Sequence, residues 1–252
     1  MHKEALLLAS KTNPEYWNRV WGKPSELKLP SRLLINNLNV MRLLKSHIKP
    51  GSRYIEIGCA PGKMLAWVAK VLGANATGLD YSEVGIARCK DLCEALSLKI
   101  DFHCQDFSEH NLQLESFDYV TSFGLIEHFD DPTLLVKWHV DLLKPGGLAL
   151  ITIPNYDGFY GLIQKWCDPA NIALHNLNIM TPVVLKSLVN NSEVSSVKAY
   201  HFGKIDPLIL SLEKKMQIHY VKIINIFLNG IGILQPMVFA KIAPMLVLEV
   251  RK

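Results

Sequence analysis

The feature that most constrains this chain is an alternation of short apolar stretches and helical patterns between residues 53 and 154. Strand-length pieces read "RYIEIG" (53–58), "ATGLDYS" (76–82), "IDFHCQDF" (100–107), "FDYVTSFG" (117–124) and "LALITIP" (148–154). Helical patterns fill 62–73, 83–96 and 132–143, the last opened by the cap and first-turn pair Asp131-Pro132. Apolar strands spaced by crossover helices predict right-handed βαβ units, and hence a mostly parallel sheet buried on both faces.

The flanks are less regular. Residues 1–50 read as helical and aromatic, with Leu33, Leu34, Leu38, Met41, Leu44 and Ile48 at helical spacing before a stop at Pro50-Gly51. After residue 154 a long loop with a helix in it is expected. A helix over 181–191 follows, capped by Thr181, and then strands at 194–202 and 244–252. About forty residues separate these two strands, too many for a simple loop, so they should carry helices of their own. Within them the window 223–240 has no charge but holds two asparagines, two glycines, a glutamine and a proline. That is a poor membrane span. It reads as a cap packed on the domain, or as a membrane-surface or homodimer contact.

Composition sets outer limits. Apolar residues at 49% can supply a core, and the net charge of +4 without a long basic run gives no indication of nucleic acid. Five scattered cysteines, an odd number, suggest reduced thiols and a cytoplasmic location. Cys89 and Cys93 lie four apart with no partner pair to complete a zinc site, so no metal is expected. The apolar run Ala5–Ala9 is too short for a signal-peptide core.

The stretch "YIEIGCAPGKML" sets the chemistry. A glycine loop between a first strand and a helix lets backbone approach a ligand, and the helix N-terminus favours a negative group. Dinucleotides and S-adenosylmethionine both use such a loop. Glu56, two residues before Gly58, would repel a pyrophosphate but suits the ammonium of an amino-acid ligand. Asp80 ends the second strand, where a carboxylate can accept ribose hydroxyls. Asp106-Phe107 ends the third, where an acid can take an adenine amino group and an aromatic can flank the ring. Ligands of open parallel sheets bind at that edge.

On "YIEIGCAPG", "GLDYSEVGI", "CQDF", "FDYVTSFGLIEHFDDP" and "LLKPGGLALITIPN", the chain resembles the class I S-adenosylmethionine-dependent methyltransferases, most of all the small-molecule, ubiquinone-biosynthesis-like branch. The resemblance implies an α/β, Rossmann-like, seven-stranded and mostly parallel sheet with an antiparallel last strand. It implies an N-terminal helical lid (1–50) and a methyltransferase core (51–202 and 244–252), while the length between the last two strands makes 203–243 a helical cap insertion. Glu56, Gly58, Cys59, Ala60 and Gly62 would line the methionine end, although the middle glycine of the family loop is here Ala60 followed by Pro61. Asp80 with Tyr81 would hold the ribose, and Asp106 with Phe107 the adenine. Phe123 and Gly124 would border the sulfonium and the acceptor.

Methyl transfer is an in-line displacement, and positioning supplies much of the catalysis. An oxygen acceptor must also lose a proton. His128 is the candidate base, or it only closes the cofactor pocket; His175 is a weaker candidate. Tyr16, Trp17 and Trp21 could face the sulfonium, or simply anchor their helix. Tyr156, Tyr160 and Trp166 could shape the acceptor pocket, or pack a loop. The expected reaction moves a methyl group from S-adenosylmethionine, leaving S-adenosylhomocysteine, to an oxygen or nitrogen of a small molecule. The rivals are a nicotinamide-dependent oxidoreductase on a similar sheet and a non-catalytic cofactor-binding partner subunit. An RNA methyltransferase is disfavoured: the segment after the fourth strand, "SFGLIEH", has no acid directly after the strand and lacks the Pro-Cys and Asn/Asp-Pro-Pro-aromatic signatures of those branches.

Overall fold

A computed structural model describes residues 9–189, 193–235 and 238–252. The apolar run at 5–9 and the end of the expected helix at 181–191 lie wholly or partly outside them. So does part of the 223–240 window.

The strands are β1 (Arg53–Ile57), β2 (Asn75–Asp80), β3 (Asp101–Cys104), β4 (Phe117–Phe123), β5 (Leu143–Pro154), β6 (Ser196–Phe202) and β7 (Met245–Arg251). They form one seven-stranded sheet in the order β3-β2-β1-β4-β5-β7-β6. The pairs β1/β2, β1/β4, β2/β3 and β4/β5 are parallel, and β7 runs antiparallel to both β5 and β6. The expected Rossmann-like sheet with its antiparallel last strand is what the chain forms.

Alternating residues explain why the apolar runs become central strands. Ile55, Ile57, Val120, Ala149, Ile151, Ile153, Leu246 and Leu248 pack into one core cluster. Their neighbours Tyr54, Tyr119, Leu148, Leu150 and Val247 pack into another on the opposite face. The first face is covered by α5 (Thr133–Asp141) and α8 (Pro182–Ser187), the second by α2 (Ile35–Lys45), α3 (Lys63–Trp67) and α4 (Glu83–Ala95). The N-cap position of α5 is Pro132 and not Asp131, one residue later than expected, although Asp131 Oδ1 still accepts from the Thr133 amide at 3.0 Å.

Several boundaries differ from expectation. β5 begins at Leu143, not 148: Leu143 pairs with Phe117, and the register then shifts so that Leu148 faces Tyr119. The Lys-Pro-Gly-Gly segment is thus an irregularity inside a strand. The helix expected over 62–73 is α-helical only to Trp67, then winds as a π-helix over Val68–Leu72 until Gly73. Of the segment assigned to a lid, only α1 (Pro14–Trp21) is free of buried residues; α2 buries Ile35, Met41, Leu43 and Leu44 and belongs to the covering layer.

The segment beyond β5 carries α6 (Phe159–Cys167) and α7 (Pro169–Ala173), and that between β6 and β7 carries α9 (Ile218–Leu234). Tyr160, Cys167, Leu210, Leu212 and Val221 form a small core of their own there. Asparagines tie this part to α2. Asn229 Oδ1 accepts from the Ile35 amide at 2.7 Å, and Asn36 Nδ2 donates to Asp206 Oδ2 at 2.8 Å. α2 has no side-chain cap at its own Leu34, so Asn229 supplies one from α9.

Candidate active site

Two adjoining cavities, of about 120 and 180 Å³, lie at the carboxyl ends of β1, β2, β3 and β4. Thr12, Tyr81, Leu125 and Phe129 line both, so they are two halves of one cleft. Together they reach the roughly 300 Å³ at which small-ligand pockets begin.

The first half is floored by the glycine loop and β4, with Gly58, Ala60, Asp80, Phe123, Gly124 and His128, and roofed by Trp17 and Trp21 of α1. Gly58 has φ +69°, which a side chain adopts at a cost. Asp80 is held by the loop it serves: Oδ2 accepts from the Ala60 amide at 3.0 Å and Oδ1 from the Ser82 amide at 2.8 Å. Burial raises its pKa, and these backbone donors oppose the rise. The second half contains Asp106 and Phe107. Asp106 Oδ1 accepts from the Ser108 amide and hydroxyl at 2.8 and 2.7 Å. Phe107 stands edge-on to Trp138 and His139.

The turn after β4 concentrates the titratable groups. Ile126–His128 form a 3-10 turn whose three side chains are all buried. His128 Nδ1 lies 2.9 Å from the Leu174 carbonyl, so Nδ1 donates and Nε2 keeps its lone pair. His175 does the same with the Asn171 carbonyl at 2.7 Å. Burial pulls the His128 pKa down to about 4, with His175 adding to the effect, so the imidazole is neutral at physiological pH. Burial raises Glu127 to about 8, and its Oε2 has no hydrogen-bond partner. A ligand atom from each of Glu127, His128 and His175 lies within 4.8 Å of the others. Two imidazoles oriented by carbonyls and one carboxylate form a donor set that fits a divalent cation. Sequence reasoning missed the trio, because His175 is far from the other two in the chain.

The structure sorts the expected residues. Gly58, Ala60, Asp80, Tyr81, Asp106, Phe107, Phe123, Gly124, Trp21 and His128 line the cleft. Glu56 lines neither half. It is buried beneath the loop, its Oε2 accepting from the Tyr54 hydroxyl at 3.5 Å, and burial raises its pKa to about 8. Cys59 and Gly62 are packing residues and not cleft residues. Cys59 Sγ would lie 2.8 Å from a Cβ on Gly78, and a Cβ on Gly62 would lie 2.9 Å from Cys89 Sγ. Tyr16 also misses the cleft; Trp17 takes its place, stacked on Trp21 with centroids 5.5 Å apart and edge-on to His128 at 5.3 Å. Tyr160 is fully buried in the small core, its hydroxyl accepting from the Asp206 amide at 2.7 Å. Trp166 is 60% exposed. His175 and Tyr156 stand behind His128, at centroid distances of 4.7 Å from His128 to His175 and 5.1 Å from His175 to Tyr156. Thr12, Leu125, Phe129 and Trp138 line the cleft and were not expected. The last three are apolar, and in sequence they look like core positions.

This geometry agrees with what the chain is similar to. A family model described as a methyltransferase domain matches residues 31–193, and the chain belongs to that family. A ubiquinone biosynthesis O-methyltransferase of Coxiella burnetii is 32% identical over 153 residues, 61% of this chain and 62% of that protein. One from Xanthomonas campestris pv. campestris is 34% identical over 111 residues, 42% of this chain and 44% of that protein. The chain thus matches about three-fifths or less of the length of these relatives. A phosphoethanolamine N-methyltransferase 2 of Haemonchus contortus, in complex with S-adenosyl-L-methionine, superposes with a TM-score of 0.60 at 18% identity, over 86% of this chain and 52% of that one. A SAM-dependent methyltransferase of Archaeoglobus fulgidus gives 0.55 at 21%, over 86% and 93%. At such identities the likeness is one of fold. The resemblance read from the motifs holds: the fold is that of the class I S-adenosylmethionine-dependent methyltransferases.

Proposed function

We propose that the cleft binds S-adenosylmethionine and that the chain transfers its methyl group to an oxygen of a small-molecule acceptor. The observation that carries this is the cleft's arrangement of groups. Asp106 and Phe107 line one half, Asp80, the glycine loop and His128 line the other, and Tyr81 lines both. An adenine, a ribose and a sulfonium can be read from the one half to the other. Glu56 supplies a carboxyl beneath the loop, which an approaching ammonium would draw into its charged form. Trp17 and Trp21 supply π-faces where the sulfonium would sit.

The acceptor would enter beside Phe123, Gly124 and His128. With Nδ1 committed to Leu174, His128 Nε2 is the group able to take a hydroxyl proton. The relatives' name, ubiquinone biosynthesis O-methyltransferase, supports oxygen over nitrogen. The five free cysteines support the cytoplasm as the place of action.

The test is calorimetric titration with S-adenosylmethionine, S-adenosylhomocysteine and NADH, using the natural chain and Asp80→Ala. We expect both adenosyl ligands to bind, NADH not to, and the variant to bind about 10–100-fold more weakly, as loss of a charged hydrogen-bonding partner implies. A folded protein that binds neither adenosyl ligand would refute the proposal.

A further inference from the structure

The long helix α9 packs one apolar face, Val221, Ile224 and Leu228, on the small core and leaves a second apolar face exposed. On an ordinary surface helix the apolar stripe faces the core and polar residues face water. Here Asn229 points inward and bonds the Ile35 amide and the Leu33 carbonyl. Gly232 is also inward; a Cβ there would meet the Ile205 carbonyl oxygen at 2.5 Å. The outward residues are Ile223, Ile226, Phe227, Ile231, Ile233 and Leu234, with Ile226 at 74% exposure and Leu234 at 83%. The hydrophobic effect opposes leaving so continuous a face in water, so something covers it.

Charge identifies the cover. Residues 214–248 contain Lys214, Lys215, Lys222 and Lys241 and no aspartate or glutamate. Lys204 adds a further cation at the helix end, its Nζ donating to the Ile233 carbonyl at 3.0 Å. Lys214 pairs with Asp168 at 3.8 Å and Glu213 precedes it, but Lys222 on α9 itself has no ion pair among the described residues, and two copies meeting through this face would bring such lysines together. An anionic lipid surface complements both the apolar stripe and the lysines. No helix among the described residues is long and apolar enough to cross a membrane, so the contact lies in the plane of the surface.

We propose that α9 docks this protein on an anionic phospholipid bilayer. The stripe at Ile223, Ile226, Phe227 and Leu234 sinks to the headgroup–acyl boundary, and Lys215, Lys222 and Lys241 meet the headgroups. The surface is separate from the cleft, so the inference stands apart from the methyl-transfer reading.

The test is co-sedimentation of the full chain with sucrose-loaded vesicles. One set is phosphatidylcholine alone and the other contains roughly one-third phosphatidylglycerol. The chain should partition to the anionic vesicles, and less so as salt rises. Ile226→Glu with Phe227→Glu should cut partition about tenfold or more, and Lys222→Glu should cut it on anionic vesicles. Both changes are at exposed positions, and circular dichroism checks that the variants fold. Failure of the natural chain to partition would overturn the proposal. So would a dimer, seen by light scattering, that the double variant converts to monomer, since the face would then join two copies.

Discussion

The rings of His128 and His175 stand 4.7 Å apart, and each donates its Nδ1 proton to a backbone carbonyl. Both Nε2 atoms are therefore acceptors, and Glu127 adds a carboxylate within 4.8 Å. A divalent transition-metal ion fits such a set, but it would occupy the Nε2 lone pair that proton removal needs, so bound metal should inhibit methyl transfer. Titration with Zn²⁺ or Mn²⁺ should show one site, and His175→Ala should weaken it about tenfold or more. If the natural chain and the variant take up metal alike, the trio does not bind it.

Gly62 tests whether the loop's shape comes from packing. It has φ +81°, and an added Cβ would lie 2.9 Å from Cys89 Sγ and 3.2 Å from Cys89 Cα. Gly62→Ala should destabilise the fold by about 2–4 kcal/mol, from the left-handed backbone plus overpacking. Gly146 has φ +79° with nothing within 4 Å, so Gly146→Ala should lose only the backbone part, about 1–2 kcal/mol. Urea unfolding of the two variants measures the difference, and equal losses would mean that Cys89 plays no part.

A third expectation concerns pH. His139 is fully buried, bonds the Leu135 carbonyl and Ser122, and has its pKa pulled down to about 4 by burial. The unfolded chain, with a histidine near 6.5, takes the proton first as pH falls. The stability that the neutral ring contributes is therefore present above about 6.5 and lost as pH falls through 4, by about 3 kcal/mol at the acid limit. His128 acts in the same sense. Glu56 and Glu127, raised to about 8, act oppositely: their contribution is present below 4.5 and lost as pH rises through 8. Urea unfolding at pH 7 and pH 4.5 should show a smaller acid loss in His139→Gln than in the natural chain. The same loss in both would contradict the assignment.

Trp17 carries the roof of the cleft, stacked on Trp21, edge-on to His128 and donating from Nε1 to Thr12 Oγ1 at 3.1 Å. Trp17→Ala should weaken S-adenosylmethionine binding about tenfold, the scale of a lost cation–π and stacking partner, and S-adenosylhomocysteine binding less, because its thioether carries no charge. Its thermal midpoint should barely move, because α1 buries no residue completely. A large drop in that midpoint with unchanged binding would make the tryptophan an anchor and nothing more.

The sheet and three of its helices were legible because their residues obey one rule at a time: apolar runs for central strands, 3.6-residue spacing for the helices that cover them. α9 could not be read that way, since apolar residues lie on both of its sides: Val221, Ile224 and Leu228 pack inward with Asn229, while Ile223, Ile226 and Phe227 face out. Asp80 and Asp106 were legible because a strand end followed by an acid is a local pattern. Tyr16 and Trp17 are adjacent, and only the helix's rotation decides which one reaches the cleft. Tyr160 looked like a pocket aromatic and is instead the centre of a separate small core. Its destination depended on contacts with Leu210 and Val221, some fifty to sixty positions away, which no local pattern records.

The floor and the roof of the cleft are held very differently. The floor is locked by close packing at Gly62 and Gly78, whereas α1, which buries no residue completely, is held by the bridge from Ser10 to Phe129, by the Lys11 amide bonded to the His128 carbonyl at 2.7 Å and by the Ser82 hydroxyl donating to Asn18 Oδ1 at 2.6 Å. A ligand enclosed beneath it would leave if those eight residues swung aside. The pace of repeated turnover would then be kept by a door hinged on the residue proposed as the base, so that disturbing His128 would alter release as well as reaction.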